Sequence, residues 1–272
     1  MDYRTFLNTV RDTETPWGTA RLWWLGQMGL IVKLGGTVLS IDYYATADAD
    51  RQAPPPIPAE ALTGVDGFLG THDHIDHIDH PAWKIWAKTC PEARFVAPRF
   101  CLEPLLADGH APERLVGLND GELCRIGDVT VRAFAAAHEF LDRDEASGLY
   151  PCLQYVLEGN GVRLYHAGDT VRYEGMLPKL QAVGPIDAGL MPINGRDGKR
   201  YRNNIIGNMT WQESADLAGE QGAGLAIPGH WDMFAFNSAD PNLFADFLDV
   251  KYEGRVKCVV PKYLEGIEVR RG

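Results

Sequence analysis

A chain of 272 residues, 45% hydrophobic and 23% charged, has the mix of an ordinary globular protein and is long enough to bury a core without disulfides or a structural metal. Its 26 Lys and Arg against 37 Asp and Glu leave a formal charge of −11, which argues against extended nucleic-acid binding, since that needs a basic footprint. No stretch approaches the roughly 18 apolar residues of a membrane span, the start lacks the apolar run of a signal peptide, and five scattered cysteines without a C-x-x-C pair read as reduced thiols of a cytoplasmic protein.

In chain order, Arg21–Leu25, Leu30–Leu34 and Val38–Asp42 are short apolar segments separated by glycines, which predicts sequential antiparallel strands. The proline-rich run Pro54–Pro58 predicts an extended surface loop. Phe68–Thr71 reads as a strand, and Pro81 fits the first position of a helix that carries Trp83, Ile85 and Trp86. Further strands are predicted at Arg94–Ala97, Val129–Ala135, Tyr150–Glu158 and Arg163–His166. The last two flank the hairpin signal Gly159-Asn160-Gly161. Helices are predicted at Arg99–Ala107, Tyr173–Ala182, Trp211–Gln221 and Asn242–Val250, with short strands at Ala188–Met191 and Leu225–Ile227. Two strand-rich blocks, each followed by helices, predict an α/β protein in which two sheets pack face to face with helices outside, as one domain over residues 1–272. Trp23, Trp24, Trp83 and Trp86 are expected in the core or an interface, and Gly26-Gln27-Met28-Gly29 as a tight strand turn rather than a nucleotide loop, because no lysine follows it.

The segment Thr71–Asp79 packs three histidines and three aspartates into nine residues. Along an extended chain His72, His74 and Asp76 share one side and His77 points away. Bringing all four together requires the chain to turn before the Pro81 helix. Imidazole nitrogens with a carboxylate oxygen form a divalent-metal ligand set. Further candidates recur just after predicted strands: His138, Asp169 in Gly168-Asp169-Thr170, and His230 in Pro228-Gly229-His230.

The pattern His72-x-His74-x-Asp76-His77, followed by His138, Asp169 and His230, resembles the metal motifs of the metallo-β-lactamase superfamily, from about residue 20 to about residue 235. The resemblance implies an αββα four-layer sandwich with two divalent metal ions at one edge. It implies that His72, His74 and His138 hold one ion, that Asp76, His77 and His230 hold the other with Asp169 bridging, and that Asp42 orients the ligands. Trp24-Leu25-Gly26-Gln27, Tyr165-His166-Ala167-Gly168-Asp169, Ile193-Asn194-Gly195-Arg196-Asp197 and Asn208-Met209-Thr210 look like the L-ascorbate-6-phosphate lactonase branch. That branch implies manganese, with zinc the alternative, and a homo-oligomer that opens the lactone of a phosphorylated sugar acid.

Within this reading Asp76 is the candidate to accept the proton of the attacking water and His166 a candidate proton donor. Arg196 and Asn194 are candidate substrate contacts, in a segment that also holds Lys199, Arg200 and Arg202 and carries a net charge of +3. The expected partner is a small anionic, phosphorylated substrate, with no membrane and no extended nucleic acid. Two alternatives stand beside the lactonase: a phosphodiesterase acting on a small cyclic nucleotide, and a metal-binding regulatory module without turnover.

Overall fold

The computed structural model of the chain describes residues 2–272. β1 (Thr19–Gly26), β2 (Gly29–Leu34) and β3 (Thr37–Ile41) run as antiparallel neighbours, as the glycine punctuation predicts. β4 (Gly67–Leu69), β5 (Arg94–Pro98) and β6 (Leu115–Leu118) extend the sheet in parallel, and β14 (Gly266–Arg270) closes its other edge against β1. The second seven-stranded sheet has the order β13-β12-β11-β10-β9-β8-β7. Its members are β7 (Leu123–Ile126), β8 (Val129–Ala135), β9 (Leu153–Gly159), β10 (Val162–His166), β11 (Ala188–Pro192), β12 (Leu225–Gly229) and β13 (Lys257–Cys258). The β9–β10 hairpin turns on Asn160 and Gly161, both at positive φ, the geometry that a two-residue loop of this composition favours.

Strand alternation explains why the apolar runs look continuous. Ala20, Leu22 and Trp24 face the core between the sheets, while Trp23 and Leu25 face outward into a second apolar layer. That layer is covered by α1 (Tyr3–Asp12), which buries Phe6 and Val10, by α2 (His80–Thr89), which buries Trp83 and Trp86, and by α3 (Leu102–Ala107). On the far side α4 (Met176–Val183), α6 (Trp211–Gln221) and α7 (Pro241–Tyr252) cover the second sheet. The four layers are therefore helix, sheet, sheet, helix. All four tryptophans singled out in the sequence are buried.

The structure corrects several sequence expectations. The N-terminal α1 was not anticipated, although Phe6 and Val10 stand four residues apart on one face. The edge strands β6, β7 and β13 are short and show no clear alternation, whereas β14 went unpredicted although Ile267 and Val269 alternate with Glu268 and Arg270. The helix expected at Tyr173–Ala182 starts only at Met176, because Gly175 takes a left-handed conformation and the Tyr173 hydroxyl donates to Ala135 O. The segment Arg99–Cys101 forms a 3-10 turn ahead of α3, and the basic segment after Asn194 contains a one-turn helix, α5 (Gly198–Arg202).

Candidate metal centre

β3 and β4 run parallel, as do β10, β11 and β12, so their carboxyl ends gather at one edge of the sandwich. Every candidate ligand follows such an end or the end of β8. Asp42 comes directly after β3 at φ 45°, a strained position held because its N–H donates to Leu69 O (2.9 Å). Its carboxylate accepts from Thr71 N–H at Oδ1 (2.8 Å) and from Thr71 Oγ1 (2.7 Å) and His77 Nδ1 (2.7 Å) at Oδ2.

After Thr71 the chain turns as the spacing requires. His77 and Ile78 both donate backbone N–H to His74 O, at 2.9 and 2.8 Å, and this turn brings His77 back to the side of His72 and His74. Asp79 then caps α2 by accepting from Ala82 N–H (3.1 Å), and its carboxylate also accepts from Ala45 N–H and Thr46 N–H, which ties the ligand turn to the segment after β3. Two glycines allow the close approaches. A Cβ on Gly168, at φ +57°, would meet the Thr71 side chain at 2.8 Å, and one on Gly207 would stand 2.0 Å from His138 Nδ1.

Two groups of ligand atoms result. His72 Nε2 lies 2.9 Å from His74 Nδ1, and His138 Nε2 lies 3.2 Å from the same atom. The other nitrogens of His72 and His138 face Thr71 Oγ1 (3.1 Å) and Gly207 O (3.1 Å), which fixes their rings. In the second group His230 Nε2 lies 3.1 Å from Asp169 Oδ2 and 3.6 Å from Asp76 Oδ2, and His77 Nε2 lies 3.4 Å from Asp169 Oδ1 and 3.7 Å from Asp76 Oδ2. Ligand-type atoms of His72, His77 and Asp169 also converge, so Asp169 adjoins both groups.

Comparison with known proteins sets this geometry in a family. A family model described as a β-lactamase superfamily domain matches residues 39–231. The chain belongs to the metallo-β-lactamase superfamily. A Shigella flexneri protein named "probable L-ascorbate-6-phosphate lactonase" is 25% identical over 290 aligned positions, covering 92% of this chain and 80% of the relative. An Escherichia coli O139:H28 protein of the same name is 26% identical, covering 88% and 77%. The fold is shared with Igni18, a metallo hydrolase of Ignicoccus hospitalis (TM-score 0.69, 20% identity, 92% of this chain and 98% of that one). It is shared too with an isothiocyanate hydrolase from Delia radicum gut bacteria (TM-score 0.71, 15% identity, 93% and 100%). Among such relatives the chain is a hydrolase of the superfamily, whose members bind divalent metal.

The residues present fit that metal chemistry. His77 Nε2 and Asp169 Oδ1 are buried without a hydrogen-bond partner, a costly arrangement unless a cation takes the lone pairs. His77 gives its other nitrogen to Asp42, the carboxylate–histidine pairing that orients a ligand imidazole. Protons compete for the same atoms. Burial opposes charge on His77, yet Asp169, Asp42 and Asp76 hold its pKa well above the ordinary value. Burial likewise opposes charge on His230, but Asp169 and Asp76 raise its pKa to about 9. Burial pushes His72 and His74 down instead, so their neutral rings meet with lone pairs available to a metal. Burial disfavours charge on Asp169 and Asp76, but the facing histidines keep both well below the usual carboxylate range.

Two functional expectations are corrected. His166 has no nitrogen free for proton donation: its Nδ1 accepts from Gly168 N–H (3.2 Å), so its Nε2–H donates to Met28 O (2.8 Å), and the ring is buried behind the ligands. Arg196 is paired, with its guanidinium on Glu213 Oε1 (2.5 Å) and Asn208 O (3.1 Å), and it does not line the cavity beside the ligands. Asn194 does line that cavity.

Two contacts escaped the sequence reading. Asn208 Nδ2 donates to Asp169 Oδ2 (2.9 Å). Gln27, at φ 50° in the β1–β2 turn, donates from Nε2 to Asp76 Oδ2 (3.1 Å) and adjoins the His230 ring. Its own N–H donates to Asp232 Oδ1 (2.8 Å), whose other oxygen accepts from the Tyr263 hydroxyl. The turn is thus a turn, as expected, but its side chain reaches the centre. The motif Trp24-Leu25-Gly26-Gln27 was the available signal.

Proposed function

We propose that this protein is a dinuclear metal-dependent lactonase, with His72, His74 and His138 holding one ion, Asp76, His77 and His230 the other, and Asp169 reaching both. The observation that carries this reading is the convergence of two ligand groups on Asp169 beside a cavity of about 390 Å³, large enough for a small lactone. When bound, the two cations supply Lewis acidity and lower the pKa of water toward neutrality. The nitrogen and oxygen donors accommodate several divalent metals, and manganese is favoured by the family branch alone, with zinc as the alternative.

The chain's own residues supply orientation and proton handling. Asp76 stands at the cavity wall with its contacts to Gln27, His77 and His230 all at Oδ2, which leaves Oδ1 to accept a proton from water. Gln27 fixes one Asp76 oxygen and Asn208 fixes one Asp169 oxygen, which limits how either carboxylate can rotate. Asp42 holds the His77 ring from behind.

The lactone class comes from the names of relatives at 25–26% identity. The phosphate of their named substrate is not carried over, because Arg196, its candidate partner, is engaged with Glu213. Among the described residues no helix is long and apolar enough to cross a membrane, and the five cysteines are unpaired. A cytoplasmic location accords with the free thiols.

The test is hydrolysis by purified, metal-reconstituted protein. Simple sugar lactones and a cyclic nucleotide, at matched concentrations, should give ring opening of the lactone and little phosphodiester cleavage. Cleavage of the nucleotide alone would make the protein a phosphodiesterase, and turnover of neither would favour a binding module.

A further inference from the structure

The cavity beside the ligand cluster has walls of unusual character. Its lining includes Asn194, Asn208, Asn237, Phe234 and Phe236, and no lysine or arginine among the described residues. Among the described residues Glu139 is the one charged wall residue outside the ligand cluster, and its carboxylate offers an anionic arm no favourable contact. Two basic side chains of the neighbouring segment, those of Arg196 and Arg200, are engaged elsewhere. Arg196 pairs with Glu213, and Arg200 is buried with its guanidinium on Asp197, Asn237 Oδ1 and Ser238 O.

Those engagements also set which end of each carboxamide is free. Arg200 Nε donates to Asn237 Oδ1 (3.0 Å), so that atom is an oxygen, and the Asn194 group that meets it (3.0 Å) must be its Nδ2 donor. Asn194 Oδ1 is left buried without a partner. The same logic applies to Asn208, whose Nδ2 faces the Asp169 carboxylate and whose Oδ1 is also buried and unpartnered. A buried acceptor without a donor costs stability, and a ligand hydroxyl or amide N–H relieves that cost better than a phosphate, which is largely dianionic near neutrality and mainly accepts. Both oxygens are covered here, so reading them requires the carboxamides to turn toward the cavity, a side-chain change of the kind that commonly accompanies binding. Phe236, 48% exposed and stacked on Phe234 with centroids 5.5 Å apart, adds an apolar face at the mouth.

We propose that this cavity selects a substrate whose non-reacting arm is uncharged and carries hydrogen-bond donors, hydroxyl or amide N–H, and that it rejects a phosphorylated arm. Asn194 and Asn208 read the donors and Phe236 packs on the arm's carbon skeleton. The inference rests on the lactonase reading for the position of the reacting ring and deepens it by naming the substrate class.

The experiment is calorimetric titration of the metal-loaded protein with two cyclic hydroxamates, whose head group chelates divalent metal in both. One carries a hydroxymethyl arm and the other its phosphate ester. The hydroxymethyl compound should bind more tightly by about tenfold, the scale of one well-made hydrogen bond in a buried site. Asn194→Ala should weaken that compound by a similar factor while barely changing an analogue with a methyl arm. Phe236→Lys, at an exposed position where folding is not at stake, should narrow the gap by strengthening the phosphate ester. Equal binding of the pair, tighter binding of the phosphate ester, or binding of neither would overturn the proposal. Hydroxamates are not turned over, so a clear preference in protein that hydrolyses no lactone would refute the lactonase reading alone.

Discussion

Asp76 is held by a single neutral donor, the Gln27 carboxamide, and that donor sits in a turn whose backbone is strained. Asparagine tolerates the same left-handed conformation but is one methylene shorter, so Gln27→Asn separates the turn from the contact. The variant should keep its metal content and unfold at nearly the wild-type temperature. Its kcat should fall by about 10- to 100-fold, the usual scale for outer partners of metal ligands. Steady-state kinetics beside metal analysis and thermal unfolding would show this. Wild-type turnover in Gln27→Asn would mean that the carboxamide does not position Asp76.

The turn that presents the ligands is fastened to α2, and His80 is one of the fasteners. Its Nε2 lies 2.7 Å from Asp73 Oδ1, its Nδ1 contacts Asp108, and Lys84 joins Asp108 at 2.7 Å. Burial opposes the charged ring, but Asp73 and Asp108 raise its pKa above the ordinary histidine value. A group raised on folding stabilises the native state fully below its unfolded pKa of about 6.5, and that contribution is lost as pH rises through the folded value. His80→Gln should therefore cost about 0.5–1 kcal/mol near pH 6 and progressively less in alkaline solution. Denaturant unfolding across that range measures it, and a pH-independent cost would show that packing rather than charge holds the turn.

At this scale the sequence was legible where signals were local. The glycine-punctuated strands, the Pro81 helix start, the helix over Trp211–Gln221 and the ligand spacing all depend on neighbours in the chain. What was not legible depends on distant partners. β14 pairs with β1 across most of the chain, and α1 is fastened by Lys33, whose ammonium donates to Val10 O (2.9 Å) and Arg11 O (2.6 Å). Arg196 and His166 looked functional because of their place in motifs. Their roles were decided by Glu213 and Met28, which no spacing rule brings near them.

Across the whole molecule, the two sheets meet at an edge where each contributes part of the centre. β3 and β4 lead to Asp42 and the segment His72–His77, while β8, β10 and β12 lead to His138, Asp169 and His230. Ligands from both sheets make metal binding a clamp across the sandwich, so occupancy should raise thermal stability as well as permit turnover. The central claim is the paired centre, and anomalous scattering from crystals saturated with manganese or zinc tests it most directly. Two peaks are predicted, one among His72, His74 and His138 and one among Asp76, His77 and His230, with Asp169 between them. Absence of density at the three-histidine position, or peaks away from both groups, would contradict the account.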